Sequence, residues 1–240
     1  MCFACHRFWD DIAMTTPGQS KASTSVRGVL FDMDGVLISS TGSDDQAWKK
    51  WAVFHGMQGT FSIQSTHGRR AVDSIRAVRP DLDPDVEAQR LEAFDAESSE
   101  GIVLLPGVRD LVAKLHPWQG GIVTSASDAL MRRRLKSVGI AVPPTIITAD
   151  SVKRGKPHAD PYQLGAAQLG LRPADCLVNE DGPNGIQAGK LAGCQVLAVT
   201  GSHRATELLE ADWIVESLDR VSISNSEDGW LNFQFETVSI

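Results

Sequence analysis

The chain has 240 residues, a net charge of −7, 42% hydrophobic and 22% charged residues, the make-up of an ordinary globular protein with one good core and room for a smaller inserted unit. That acidic balance lacks the basic footprint with which proteins bind nucleic-acid backbones. No apolar run approaches the roughly 20 residues that span a bilayer, and the first 25 residues hold no continuous apolar segment of the secretory kind. The expectation is a cytoplasmic protein without nucleic-acid or membrane partners, a monomer or small homo-oligomer acting on something small.

Residues 1–24 read as a loosely structured leader, with Thr15-Thr16-Pro17-Gly18 as its breaker-rich part. Cys2 and Cys5 precede His6 at the spacing of covalent haem attachment, but that chemistry needs export, for which the sequence offers nothing. With Cys176 and Cys194 far away in apolar segments, reduced thiols are expected. The apolar run Val26–Leu30 then predicts a buried strand leading into Phe31-Asp32-Met33-Asp34-Gly35. Two carboxylates at a strand end point the same way if the extended backbone continues, and Gly35 lets the chain turn away.

Residues 40–104 change to helical patterns. The first helix begins at Asp44 as N-cap, places Ala47, Trp51 and Phe54 on one face beside Trp48, and stops at Gly56. A second helix carries Val72, Ile75 and Val78 to Pro80, and a third starts at Asp83-Pro84 and uses Val86, Leu91 and Phe94. The two tryptophans read as core packing of this unit rather than substrate contacts.

From residue 105, short apolar runs alternate with helical segments, the signature of βα units on a parallel sheet. Strands are predicted at 121–123, 145–147, 176–178 and 195–199, followed by polar residues that share one sheet edge. A last strand at 212–215 and an edge hairpin from Val221-Ser222-Ile223 through Asp228-Gly229 to 231–235 complete the chain. The fold class is therefore α/β, a Rossmann-like parallel sheet flanked by helices. Its core is built from 25–39 and 105–240, with 40–104 as a small inserted helical cap.

Four separated elements suit displacement at a phosphoryl group. Asp32 is placed to attack phosphorus and Asp34 to protonate the leaving alkoxide, then to deprotonate the attacking water. A carboxylate and a phosphate repel, so a hard divalent cation is needed. Mg²⁺ on Asp32 and Asp181 fits that need, with Glu180 behind them. Ser125 and the backbone N–H of Ala126 lie at a helix start, a ready anion cradle. Lys156 in Gly155-Lys156-Pro157 supplies a fixed cation.

Asp32-Met33-Asp34-Gly35-Val36, Thr124-Ser125, Gly155-Lys156-Pro157 and Glu180-Asp181-Gly182-Pro183-Asn184-Gly185 together resemble the four motifs of the haloacid dehalogenase-like hydrolases. The resemblance implies the same roles for Asp32, Asp34, Ser125 and Lys156, and metal binding through Asp32, the backbone carbonyl of Asp34, and Asp181. Ser65-Thr66-His67-Gly68-Arg69-Arg70 and Leu105-Pro106-Gly107 are similar to the 2-deoxyglucose-6-phosphate and glycerol-1-phosphate phosphatases within the helical-cap subgroup. His67, Arg69 and Arg70 become candidate cap contacts to a small phosphorylated substrate. The match departs at Asn179, where a large apolar residue is usual.

A phosphosugar mutase of the beta-phosphoglucomutase type and a non-catalytic binding protein are the alternatives. A dehalogenase has no need of Asp34, and a phosphonate-cleaving relative needs a Schiff-base lysine, for which only the helical Lys49 and Lys50 stand in the cap.

Overall fold

The computed structural model describes residues 20–97 and 101–238. Its strands, in chain order, are β1 (Ser20–Val26), β2 (Gly28–Phe31), β3 (Ile38–Ser39), β4 (Val103–Leu104), β5 (Gly120–Val123), β6 (Thr145–Ile147), β7 (Cys176–Glu180), β8 (Gln195–Val199), β9 (Trp213–Val215), β10 (Val221–Asn225) and β11 (Leu231–Thr237). Helices α1 (Thr41–Phe54), α2 (Ala71–Val78) and α3 (Pro84–Ala96) lie between β3 and β4. Helices α4 (Val108–Val112), α5 (Asp128–Ser137), α6 (Asp160–Gln168) and α7 (Pro183–Ala192) follow.

Six strands form one parallel sheet in the order β6-β5-β2-β7-β8-β9. Both faces are covered, so β2 and β7 are buried along their whole length, which is why β2 and the first three residues of β7, Cys176–Val178, are apolar, with Asn179 and Glu180 as the buried polar end of β7. Val29 and Phe31 join Met131 and Leu135 of α5 on one side of the sheet. Leu30 joins Tyr162 and Ala166 of α6 and Ile186 of α7 on the other. From β2 the chain runs outward through β5 to β6, then returns to β7 and continues to β9 on the opposite side. This reversal opens a crevice at the carboxyl end of β2, where such sheets bind ligands.

The pairing of Ile38 with Leu104 and Ser39 with Val103 brings together the two points where the chain enters and leaves the helical unit. That unit has its own apolar cluster of Ala47, Trp48, Trp51, Ile75 and Leu91. Trp51 is fully buried and its Nε1 donates to Glu87 at 2.9 Å.

Several expectations need correction. Residues 20–24 are not leader: β1 pairs antiparallel with β11, placing Ala22 opposite Phe235 and Thr24 opposite Phe233. The C-terminal hairpin is likewise not on the edge of the main sheet but forms a separate sheet, β1-β11-β10. Cys2 and Cys5 lie outside the described residues, while Cys176 and Cys194 are buried and free.

Helix α1 starts before Asp44, because the Ser40 carbonyl already accepts from the Ser43 and Asp44 N–H groups at 2.9 and 3.1 Å. Phe54 and Val86 are exposed, not core. Phe54 instead lies under the Arg90 guanidinium, 4.2 Å from its centre.

Candidate active site

The backbone of Asp32 extends β2, its N–H donating to the Asn179 carbonyl of β7 at 2.9 Å. Gly35 then adopts φ +83°, in the left-handed region that glycine alone enters freely, and its N–H closes a turn on the Ile38 carbonyl at 2.7 Å. This turn packs against Asp181, which arrives from the end of the neighbouring strand β7.

Asp32, Glu180 and Asp181 gather here, each with a carboxylate oxygen within 4.8 Å of the others. Lys156 Nζ donates to Asp32 Oδ1 and to Glu180 Oε1, both at 2.6 Å, and the Tyr162 hydroxyl donates to the same Glu180 oxygen at 2.6 Å. Glu180 Oε2 accepts from the Asp181 N–H at 3.1 Å. Both Glu180 oxygens are thus engaged, while Asp32 Oδ2 and Asp181 Oδ1 carry no hydrogen bond among the described residues.

Burial is the main force holding the Asp32 carboxyl well above the usual carboxylate range, with Glu180, Asp181 and Asp34 adding repulsion against the pull of Lys156. Asp181 is pushed up to about 7, again by burial first and then by Glu180. Burial alone would weaken the hold of Lys156 on its proton, but Asp32 and Glu180 outweigh it and raise its pKa. Three buried carboxylates around one ammonium leave a deficit of positive charge. Hard oxygen donors and uncompensated negative charge are what Mg²⁺ selects, so these residues fit that ion.

Asp34 accepts from the Ser40 hydroxyl at 2.5 Å and from Arg134 of α5 at 2.8 Å, both at Oδ1. Arg134, 1% exposed, also reaches Asp44 of α1 at 2.5 Å and Asp95 of α3 at 2.9 Å. Ser202 donates to Asp181 Oδ2, and His203 Nδ1 lies 3.0 Å from the Asp181 carbonyl. Arg134, Asp44, Asp95, Tyr162, Ser202 and His203 are site residues that sequence reasoning missed. For Arg134 a signal existed, since it sits between the inward-facing Met131 and Leu135 on the same helix.

The anion cradle is placed but engaged. Ser125 Oγ donates to the Gly68 carbonyl at 2.9 Å, and the Ala126 N–H donates to Thr124 Oγ1 at 3.1 Å. Gly68 belongs to the loop before α2, which faces the strand ends across a cavity of about 190 Å³ lined by Asp32, Asp34, Trp48, His67, Ser125 and Asp181. His67 Nε2 lies 3.2 Å from Asp45, and its carbonyl accepts from Asn184 at 3.2 Å. Arg69 lines the same cavity, its buried Nε without a partner among the described residues.

Arg70 has a different occupation from the substrate contact expected of it. Asp73 takes its Nε and Nη2, and the carbonyls of Ala149, Val152 and Lys153 take the remaining donors at 3.3, 2.7 and 2.8 Å. It ties the helical unit to the loop that carries Lys156.

The strand-end carboxylates, the lysine, the serine at a helix start and the overlying helical insertion define a phosphohydrolase-type site on a doubly wound sheet. Residues 26–193 match the haloacid dehalogenase-like hydrolase family, and the chain belongs to it. Hexitol phosphatase A of Escherichia coli (strain K12) is 39% identical over 210 residues, spanning 85% of this chain and 96% of that protein. The 2-deoxyglucose-6-phosphate phosphatase 2 of Saccharomyces cerevisiae is 30% identical over 233 residues, spanning 85% and 94%. Among solved structures, the beta-phosphoglucomutase of Clostridium difficile aligns with a TM-score of 0.71 at 21% identity, covering 82% of this chain and 93% of that one, a likeness of fold alone.

Proposed function

We propose that the protein is a Mg²⁺-dependent phosphatase of small sugar or polyol phosphates, working through an aspartyl-phosphate on Asp32. The observation that carries the reading is the buried Asp32 carboxylate, bonded to Lys156 and beside Asp181, at the mouth of a cavity that Asp34 also lines. Hexitol phosphatase A and the yeast phosphatase, which span most of the chain, support the substrate class.

In the first step an Asp32 oxygen forms a bond to phosphorus as the bond to the ester oxygen breaks, and Asp34 gives that oxygen a proton. In the second, a water takes the place of the alcohol and Asp34 takes its proton, so that phosphate leaves and Asp32 is regenerated. Lys156 offsets the charge of Asp32 and the phosphoryl oxygens. Ser125 Oγ and the Ala126 N–H turn from Gly68 and Thr124 to the incoming phosphoryl group. Mg²⁺ held by Asp32, Asp181 and the Asp34 carbonyl would supply the remaining positive charge at the reacting oxygens.

Residues 40–104 act as a cap that opens for substrate and closes for the first step, with His67 and Arg69 presented to the substrate body. The core sets the reaction and the cap the specificity. The protein works in the cytoplasm on a freely diffusing phosphoester; among the described residues no helix is long and apolar enough to cross a membrane.

The test is phosphate release from a panel of sugar and polyol phosphates, with Mg²⁺ present or chelated, for the wild type and Asp32→Asn. Metal-dependent release that the variant lacks supports the proposal. Isomerised sugar phosphate without free phosphate would establish a mutase instead, and no turnover of any ester would leave a binding protein.

A further inference from the structure

Among the described residues Arg134 is the most enclosed cation outside the Lys156 cluster, and its placement is not what a helix-stabilising arginine requires. It projects from α5 with its guanidinium between the core and the helical unit. Nη1 donates to Asp34 at 2.8 Å and to Asp44 Oδ2 at 3.3 Å, and Nη2 donates to Asp44 Oδ1 at 2.5 Å and to Asp95 at 2.9 Å. Asp95 is itself fixed by the Ser43 hydroxyl at 2.6 Å and by Arg133. A buried cation needs partners to offset desolvation; Asp34, Asp44 and Asp95 all supply that charge, Asp34 foremost, and Nε has no partner among the described residues.

Both donors to Asp34 meet the same oxygen, Oδ1, and both lead to the helical unit: Ser40 immediately precedes α1, and Arg134 is gripped by α1 and α3. Oδ2 receives no hydrogen bond among the described residues, and Asp34 lines the cavity. We propose that Arg134 is a positioning residue for the acid/base carboxylate. Its guanidinium, fixed by Asp44 and Asp95 of the cap, holds Asp34 by Oδ1 and leaves Oδ2 to meet the ester oxygen. The planar fork that serves three carboxylates at once belongs to arginine; a lysine ammonium has no such geometry.

This inference rests on the phosphatase reading, and its test separates the two. The value of kcat/KM reports the steps through departure of the leaving group. Glycerol 1-phosphate releases a poor alkoxide that needs the Asp34 proton, whereas p-nitrophenyl phosphate releases a stabilised phenolate that does not. Arg134→Gln should lower kcat/KM for glycerol 1-phosphate about tenfold or more beyond its effect on p-nitrophenyl phosphate, as expected for loss of an aligned general acid. Inhibition by inorganic phosphate should stay within about threefold of wild type, because Ser125 and Lys156 are untouched.

Arg134→Lys keeps the buried charge and carries the same comparison if the glutamine variant does not fold. Equal loss on both esters, or no loss in either folded variant, overturns the positioning role and leaves a structural ion pair. A wild type that turns over neither ester with Mg²⁺ refutes the phosphatase reading itself, and this inference with it.

Discussion

Replacing Gly35 by alanine adds one carbon at the point where the two strand ends meet. An alanine at φ +83° costs roughly 1–2 kcal/mol, which lowers the melting temperature of a chain this size by about 2–8 °C. The larger effect is positional. The new Cβ would stand 1.9 Å from Asp181 Oδ2 and 2.4 Å from its Cγ. An ordinary contact then requires the carboxylate to retreat by roughly 1.5 Å. Displacements near 1 Å cost on the order of 10²-fold in rate, so kcat/KM should fall about a hundredfold, with weaker activation by Mg²⁺. Thermal melting and phosphate release across a Mg²⁺ titration read both effects. A Gly35→Ala variant with wild-type Mg²⁺ dependence and a rate within about threefold would refute the placement of Asp181 at the reaction centre.

Three further outcomes are expected. The side-chain amide of Asn179 is fully buried with neither nitrogen nor oxygen paired among the described residues, so Asn179→Val should stabilise the protein by about 1–3 kcal/mol. A shift of the urea midpoint to lower denaturant at unchanged slope would mean that the amide has a partner. Because Asp181 in the metal-free protein is pushed up to about 7, it carries a proton below that pH which must leave as Mg²⁺ binds. Apparent affinity should therefore weaken by up to about tenfold per unit as pH falls below 7; calorimetry finding equal affinity at pH 6 and pH 8 would contradict this. Gly155→Ala places a Cβ 2.7 Å from Arg70 Nε, displacing the arginine from the carbonyls it caps. The variant should raise KM more than it lowers kcat, Arg70→Ala should do the same, and the double variant should add nothing; additive effects would show that the two residues act separately.

The chemistry of the core was legible because it sits where strands end. Asp32 and Asp34 follow the apolar segment 28–31, and Glu180-Asp181 follows Cys176-Leu177-Val178 after one polar residue, Asn179. In a parallel sheet those ends share an edge whatever the loops do, so Asp32 and Asp181 could be brought together from the strand pattern; Lys156, on the loop between β6 and α6, was legible only through the Pro that follows it and the resemblance of Gly155-Lys156-Pro157 to a family motif. What was hidden depends on partners distant in sequence. Strand β1 finds β11 more than 200 residues away, and no local pattern in Ser20–Val26 announces it. Asp44 reads as an N-cap by its place before an apolar helix, yet its carboxylate is drawn to Arg134, 90 residues on. Arg70 sits on a loop facing the site, as a substrate contact would, and only the carbonyls of residues 149–153 show that its donors are spent. Phe54 is the last residue of α1 and Val86 lies in the first turn of α3, so both stand at helix ends, and both face water although the apolar periodicity includes them.

The most direct measurement mixes the protein briefly with Mg²⁺ and a sugar phosphate radiolabelled at phosphorus, quenches in acid, and maps the label on the chain. The account predicts a hydroxylamine-labile label on the peptide carrying Asp32, absent from Asp32→Asn, which also releases no phosphate. Wild-type phosphate release with no trapped label, together with retained activity in Asp32→Asn, would contradict it.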